Sequence, residues 1–290
     1  MPTYAFRIVN VFAEETLAGN PLAVFEDARG MDERTMQALA LQFNLSETTF
    51  VLPSERATAH VRIFTPTFEM PFAGHPTLGT AHVVRSLRGS GDTVMLEMRV
   101  GTIPVYAHGD VWTLQANPPH HRPVAASRAD LAAMLVLAEA DVAPDPAAPP
   151  LWVDTGSEQL IVPLASADAV RRAAPRADLL LAHGHTGQRA MAYVFAPDPQ
   201  RDTTDGARAV VPRFFFPKHG AVVEDPGTGS ACANLGGWLI ATGATLPQRL
   251  AVAQGDAVGR PCRLGLEVTS EGRIRVSGRV VELARGAVKL

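Results

Sequence analysis

His75-Pro76-Thr77-Leu78-Gly79-Thr80-Ala81 and Asp225-Pro226-Gly227-Thr228-Gly229-Ser230-Ala231 carry one pattern twice: a polar group, Pro, two residues, Gly, a hydroxyl, Ala. Each copy is a turn that feeds an apolar stretch with helical character. Between Pro76 and Arg85 the only ionisable side chain is His82, and Ala231 to Thr242 contains no charged residue. A helix that is apolar on every side has to be buried on every side. The first backbone N–H groups of such a helix have no intrahelical partner, and together with the helix dipole they attract anions. Burial removes the water that would screen them. Two such starts, one in each half of the chain, imply an internal duplication with pseudo-two-fold symmetry and a ligand held between the halves.

The stretches around the two copies support a duplicated α+β fold. Tyr4 to Phe12 alternates and is rich in β-formers, and Gly19-Asn20-Pro21 is a turn before the short strand Leu22 to Phe25. Asp32 is placed to cap a helix carrying Met36, Leu39, Ala40 and Phe43, with Met31 and Met36 as a hydrophobic staple. Strands are expected at Thr48–Leu52, His60–Phe64, Val94–Val100, Thr102–Ala107 and Val111–Gln115. A helix is expected after Pro76. In the second half, Ser157-Glu158 before Ile161-Val162-Pro163-Leu164 parallels Ser46-Glu47 before Phe50-Val51-Leu52-Pro53, Arg208–Pro217 holds a strand, and a helix follows Pro226. Strands close the chain near Arg273–Val281. Each half thus reads as a curved, mostly antiparallel sheet or barrel around one central helix. The expected domains are 1–120, with the C-terminal strand 277–290 crossing back to join it, and 151–276. An Ala- and Pro-rich junction, 121–150, lies between them, where Pro118-Pro119 and Asp145-Pro146-Ala147-Ala148-Pro149-Pro150 bracket one helix.

Composition narrows the function. Of the 290 residues 47% are hydrophobic and 19% charged, which is ordinary for a globular protein. A net charge of −3 gives no electrostatic case for nucleic acid. No apolar run approaches a membrane span, and the start lacks a signal peptide's charged and apolar regions, so a cytoplasmic protein is expected. Cys232 and Cys262 are read as free thiols. His120-His121 and His183-Gly184-His185 lack companion ligands at metal spacing, so no metal is expected. No dinucleotide or phosphate-loop signature is present, nor a Gly-x-Ser-x-Gly elbow, and no cofactor is called for.

Four motifs taken together resemble the PhzF family of phenazine-biosynthesis isomerases, which has the diaminopimelate-epimerase fold. They are Gly19-Asn20-Pro21, Asn44-Leu45-Ser46-Glu47-Thr48, Phe72-Ala73-Gly74-His75-Pro76-Thr77 and Glu224-Asp225-Pro226-Gly227-Thr228-Gly229-Ser230-Ala231. The similarity runs over nearly the whole chain. It implies a cofactor-independent isomerase that shifts a proton within a small carboxylate-bearing molecule, with a dihydro-hydroxyanthranilate as the narrower expectation and a homodimer as the assembly. It makes Glu47 the catalytic acid/base. Phe43, Leu45 and Phe50 are expected to surround Glu47 and raise its carboxyl pKa by desolvation. His75, Asp225 and Ser230 are expected to bind the substrate. Gly74 and Gly229 would let backbone N–H groups approach its carboxylate.

Each of these residues also has a plainer reading: a solvated carboxylate for Glu47, helix caps for His75 and Asp225, a hydroxyl bonded to its own backbone for Ser230, and ordinary turns for the glycines. The paired thiol bases of related racemases are missing, and Cys232 stands where many relatives carry His. Two other functions stay open. One is an amino-acid epimerase of the same fold, with Asp225 as an opposing base. The other is a non-catalytic ligand- or protein-binding member.

Overall fold

The computed structural model describes every residue of the chain except Pro144, Gln188 and His219. The described residues form two compact units, Met1–Gln115 with Ser277–Leu290, and Ala116–Val276.

Unit 1 contains strands β1 (Thr3–Val11) and β2 (Asn20–Phe25), helix α1 (Glu33–Phe43), and strands β3 (Glu47–Leu52), β4 (Ala59–Phe64) and β5 (Glu69–Met70). Helix α2 (Gly74–Arg88) and strands β6 (Thr93–Met98), β7 (Gly101–His108) and β8 (Val111–Gln115) follow. Hydrogen bonding runs β1–β2–β3–β4–β6–β7–β8, and the final strand of the chain, Ile274–Lys289, pairs with both β8 and β1, closing an eight-stranded barrel. Helix α2 touches seven of these strands, β1 to β4 and β6 to β8, so it occupies the barrel interior. Nine of its residues, among them His75 to Ala81, are buried.

A helix can lie that close to a sheet only where its side chains are small. A Cβ added at Gly79 would sit 2.7 Å from Leu22, 2.9 Å from Val11 and 3.2 Å from Val9. Gly79→Ala is therefore expected to destabilise the protein by about 1–2 kcal/mol, because overpacking outweighs the better helix propensity of alanine. Urea unfolding checks this, and a stabilised variant would refute the close-packing argument.

On its outer side unit 1 carries α1. Asp32 caps it by accepting from the Thr35 N–H at 2.7 Å. Met36, Leu39 and Ala40 pack against Phe25, Phe50 and Phe64.

Unit 2 repeats the order. Strand β9 (His120–Pro123) and helix α3 (Arg128–Leu135) lead to β10 (Leu151–Asp154), β11 (Gln159–Pro163), α4 (Ala167–Arg172) and α5 (Ala177–His183). Then come β12 (Ala192–Pro197), β13 (Arg208–Lys218), β14 (Ala221–Asp225), α6 (Gly229–Ala241), β15 (Gln248–Gln254) and β16 (Cys262–Val268). Pairing along β1–β2–β3–β4–β6–β7 is antiparallel, parallel, antiparallel, parallel, antiparallel. Along β10–β11–β12–β13–β15–β16 it is the same. Short β5 and β14 each hairpin back on the preceding strand and lead into the central helix. In α6 the glycine role falls to Gly236, against Leu266, Val268 and Ile274, and to Gly237, against Pro119 and Val153.

Residues 121–150, expected to be a junction, are part of unit 2. Strand β9 extends its sheet through β10, and Leu131, Met134 and Leu135 of α3 lie in its core with Trp152, Leu160 and Val194. Alanine and proline composition cannot separate a linker from a small-residue helix whose few large side chains all point one way.

Candidate functional site

In unit 1 the residues of interest gather at the start of α2. The barrel lays Leu22 of β2 directly beside Glu47 of β3 in parallel register. Leu22 faces Gly79, and Thr49, two residues beyond Glu47, hydrogen-bonds Thr80 of α2 at 2.8 Å. Successive side chains of a strand alternate faces, so Glu47 points to the interior. There its Oε2 lies 3.4 Å from His75 Nε2, and the two side chains keep only 15% and 7% of their exposure.

The expected apolar surround is not what buries Glu47. Phe50 is an odd number of residues away and faces α1, stacked on Phe25 with centroids 4.9 Å apart. Phe43 packs edge-on against Phe6 and Phe25. The enclosure of Glu47 comes from α2 and its histidine, on the opposite side of the strand.

His75 is the second residue of α2 and is buried. Burial lowers its pKa from 6.5 to about 3, against the opposing pull of a hydrogen bond to Pro21, which can only be to the carbonyl because proline has no N–H. Burial thus favours the uncharged imidazole beside Glu47 at neutral pH. Its Nδ1 lies 3.5 Å from the amide nitrogen of Asn20, the buried first residue of β2.

A depressed histidine pKa contributes stability that is complete above the unfolded value and is lost as pH falls below it. The shift at His75 therefore costs about 2 kcal/mol of stability between pH 7 and pH 5. Denaturant titration of the parent and of His75→Gln checks this. Equal losses in both would show that another group carries the effect.

In unit 2, Asp225 ends β14 opposite Phe214 of β13, and its carboxylate accepts from the Thr228 hydroxyl. Asp225 is not the cap of α6; that position is Thr228. Gln254, fully buried at the end of β15, holds the loop. Its Nε2 donates to the Asp225 carbonyl at 2.8 Å, and its Oε1 accepts from the Thr228 N–H at 3.3 Å. The next residue, Gly255, has φ +82° and meets the Pro226 carbonyl so closely that a Cβ would lie 2.4 Å from its oxygen.

Ser230 is the second residue of α6. Its hydroxyl is not tied to its own helix but accepts from Gln159 Nε2 at 3.0 Å. Cys232 is fully buried, as is Cys262, and burial pushes both thiols far above their usual range. Among the described residues no three His, Cys, Asp or Glu side chains are grouped for a metal. Among the described residues no helix is long and apolar enough to cross a membrane.

The fold also resets the register of the repeat. Gly74 and Gly229 are the first residues of α2 and α6, so the partner of His75 in unit 2 is Ser230, not Asp225. Pro76 lies inside the first turn, where a missing N–H is harmless, whereas Pro226 lies before the helix. Asn20, two residues before Leu22, corresponds to Gln159, two residues before Ile161. Ile161 sits beside Tyr193 as Leu22 sits beside Glu47. The unit 2 counterpart of Glu47 is therefore Tyr193, whose phenol is buried with no hydrogen-bond partner among the described residues and raised well above its usual pKa by desolvation.

A strand order that closes into a barrel around a helix in unit 1 and is repeated in unit 2 is shared with known isomerases and epimerases. A hydroxyproline epimerase from Agrobacterium vitis shares it at a TM-score of 0.62 and 14% identity, over 99% of this chain and 91% of that one. A PhzF-family phenazine biosynthesis protein from Bacillus anthracis superposes with a TM-score of 0.87 and 25% identity over 100% of both chains. The family model for phenazine biosynthesis-like proteins matches residues 9–286, and the chain belongs to that family.

The relatives are named as isomerases. One from Pasteurella multocida, named only as an uncharacterized isomerase, is 37% identical over 98% of this chain and 93% of its own. The trans-2,3-dihydro-3-hydroxyanthranilate isomerase of Pseudomonas aeruginosa is 34% identical over 99% of this chain and 100% of its own. The protein is accordingly a member of an enzymatic family of isomerases.

Proposed function

We propose that the protein is a cofactor-independent isomerase that moves a proton between two carbons of a small carboxylate, with Glu47 as the only proton-transferring residue. The observation that carries this reading is the asymmetry of the two units. Glu47 is enclosed beside an uncharged imidazole. The equivalent position in unit 2 holds Tyr193, a buried phenol with no tendency to ionise. A two-base epimerase needs an acid/base group on each face of the reacting carbon, while a proton shift needs one group that takes and returns the same proton. The buried, high-pKa thiols also weigh against a two-thiol mechanism.

In this mechanism Glu47 abstracts the proton, and developing negative charge is stabilised by preorganised donors. His75 contributes as a neutral imidazole, and backbone N–H groups at a central-helix start, α2 or α6, serve the substrate carboxylate. Neither helix has an acidic residue in its first turn or a side-chain bond from its cap residue. Asp225, with its orientation held by Thr228 and its loop by Gln254, is an acceptor for a substrate hydroxyl or amine.

The substrate proposed for the first assay is trans-2,3-dihydro-3-hydroxyanthranilate, taken from the Pseudomonas aeruginosa relative. In deuterated water, NMR should show the ring proton relocated, with little or no solvent deuterium gained. Deuterium appearing at the stereocentre of an added amino acid would replace this reading with the epimerase. Absence of turnover for every dihydroaromatic carboxylate offered would overturn the isomerase assignment.

A further inference from the structure

The polar cluster beneath Ser230 fixes the direction of every hydrogen bond in it. Two backbone groups, whose donor and acceptor roles are unambiguous, anchor it. The Thr155 N–H donates to Asn234 Oδ1 at 2.9 Å, and the Thr155 hydroxyl donates to the same oxygen at 2.7 Å. The Ser157 carbonyl accepts from Asn234 Nδ2 at 2.8 Å. The amide of Asn234 thus has one orientation. Its Nδ2 also donates to Gln159 at 2.8 Å, so the receiving atom is Oε1. The other end of Gln159 is then necessarily the NH₂, and it donates to Ser230 Oγ at 3.0 Å.

Gln159 and Asn234 are 3% and 0% exposed, so the cluster is closed to competing water. The hydroxyl proton of Ser230 is left to point away from Gln159, and among the described residues no acceptor receives it. Thr77 in α2, by contrast, turns its hydroxyl back onto the Ala73 carbonyl at 2.7 Å.

We propose that Gln159 is a positioning residue that fixes Ser230 as a hydrogen-bond donor, so that this position of unit 2 takes a hydrogen-bond acceptor of the substrate, a carboxylate or carbonyl oxygen, and rejects an ammonium group. The proposal rests on the isomerase reading for its substrate class. The duplication supports it independently of that reading. The first residue of β2, Asn20, stands to His75 as the first residue of β11, Gln159, stands to Ser230. In both units a buried amide at the head of the second strand meets the second residue of the central helix.

Gln159→Glu tests it. The introduced carboxylate still accepts from Asn234, but as an acceptor it draws the Ser230 proton inward and turns the oxygen lone pairs outward. Binding of anthranilate, measured by calorimetry, should weaken at least ~10-fold at pH 8.5, the scale of a hydrogen bond to a charged group replaced by repulsion. At pH 5.5 a buried carboxyl takes up a proton and can donate to Ser230 again, so the ratio of variant to parent affinity should return to within about threefold. Gln159→Met, which leaves the hydroxyl free to rotate, should lose only about twofold to fivefold, with no pH dependence relative to the parent.

Parent-like affinity of Gln159→Glu at pH 8.5, or the same loss at both pH values, would overturn the role of Gln159 while leaving the isomerase reading intact. If the parent itself binds neither anthranilate nor benzoate, the substrate class fails, and this inference fails with it.

Discussion

Replacing Glu47 by glutamine is expected to lower kcat by about 10³-fold with little change in stability or in binding of an unreactive carboxylate. Glutamine keeps the size of the side chain and its hydrogen-bonding capacity beside His75 but cannot accept a proton at carbon-acid driving forces. The basicity of its ionisable neighbour His75, at 3.4 Å, is suppressed by burial. The matching position of unit 2 offers only the Tyr193 phenol.

Glu47→Asp is the informative companion. It preserves the carboxylate but withdraws it by roughly 1 Å or more from the end of β3, and a misplacement of that size costs about 10²-fold. The order parent, aspartate, glutamine is thus expected in kcat, measured with the dihydro-hydroxyanthranilate. A glutamine variant within tenfold of the parent would remove Glu47 from the chemistry, and the search for the base would move to Asp225.

Much of this arrangement is legible in the chain, because it follows from local rules. The cap at Asp32, the strand Val111–Gln115 and the two central helices each depend on residues within one element, and all are present. The elements that escape the sequence depend on partners far along the chain. Phe50 and Glu47 are three residues apart and read as one environment, yet strand alternation puts them on opposite faces, one toward α1 and one toward α2.

The repeated motif aligns His75 with Asp225 by letters. The helices align it with Ser230, because what duplicates is the position of the first helical glycine and not the proline. Gln159, Gln254 and Asn234 carry no motif at all. Their roles arise only when β11, β15 and α6 are brought together. One signal was available: a polar amide opens β2 and β11, strands that otherwise bury nearly every residue. Such an amide has to find a partner inside.

Asn234 should be the most destabilising single substitution of this cluster. Asn234→Leu fills the same space with an apolar side chain and is expected to cost about 3–5 kcal/mol. The leucine leaves four groups without their partner: the Thr155 N–H and hydroxyl, the Ser157 carbonyl and Gln159 Oε1. Each unmet group costs about 1–3 kcal/mol, and apolar burial by leucine returns only part of that. Asn234→Asp separates hydrogen bonding from volume, since it keeps the acceptor for Thr155 but loses both donors and adds a charge in a fully enclosed place. Both variants should therefore show lowered urea midpoints with an unchanged m-value. A loss below about 1 kcal/mol for Asn234→Leu would mean that the cluster contributes little to stability, and the fixed hydrogen-bond directions that orient Ser230 would lose their physical basis.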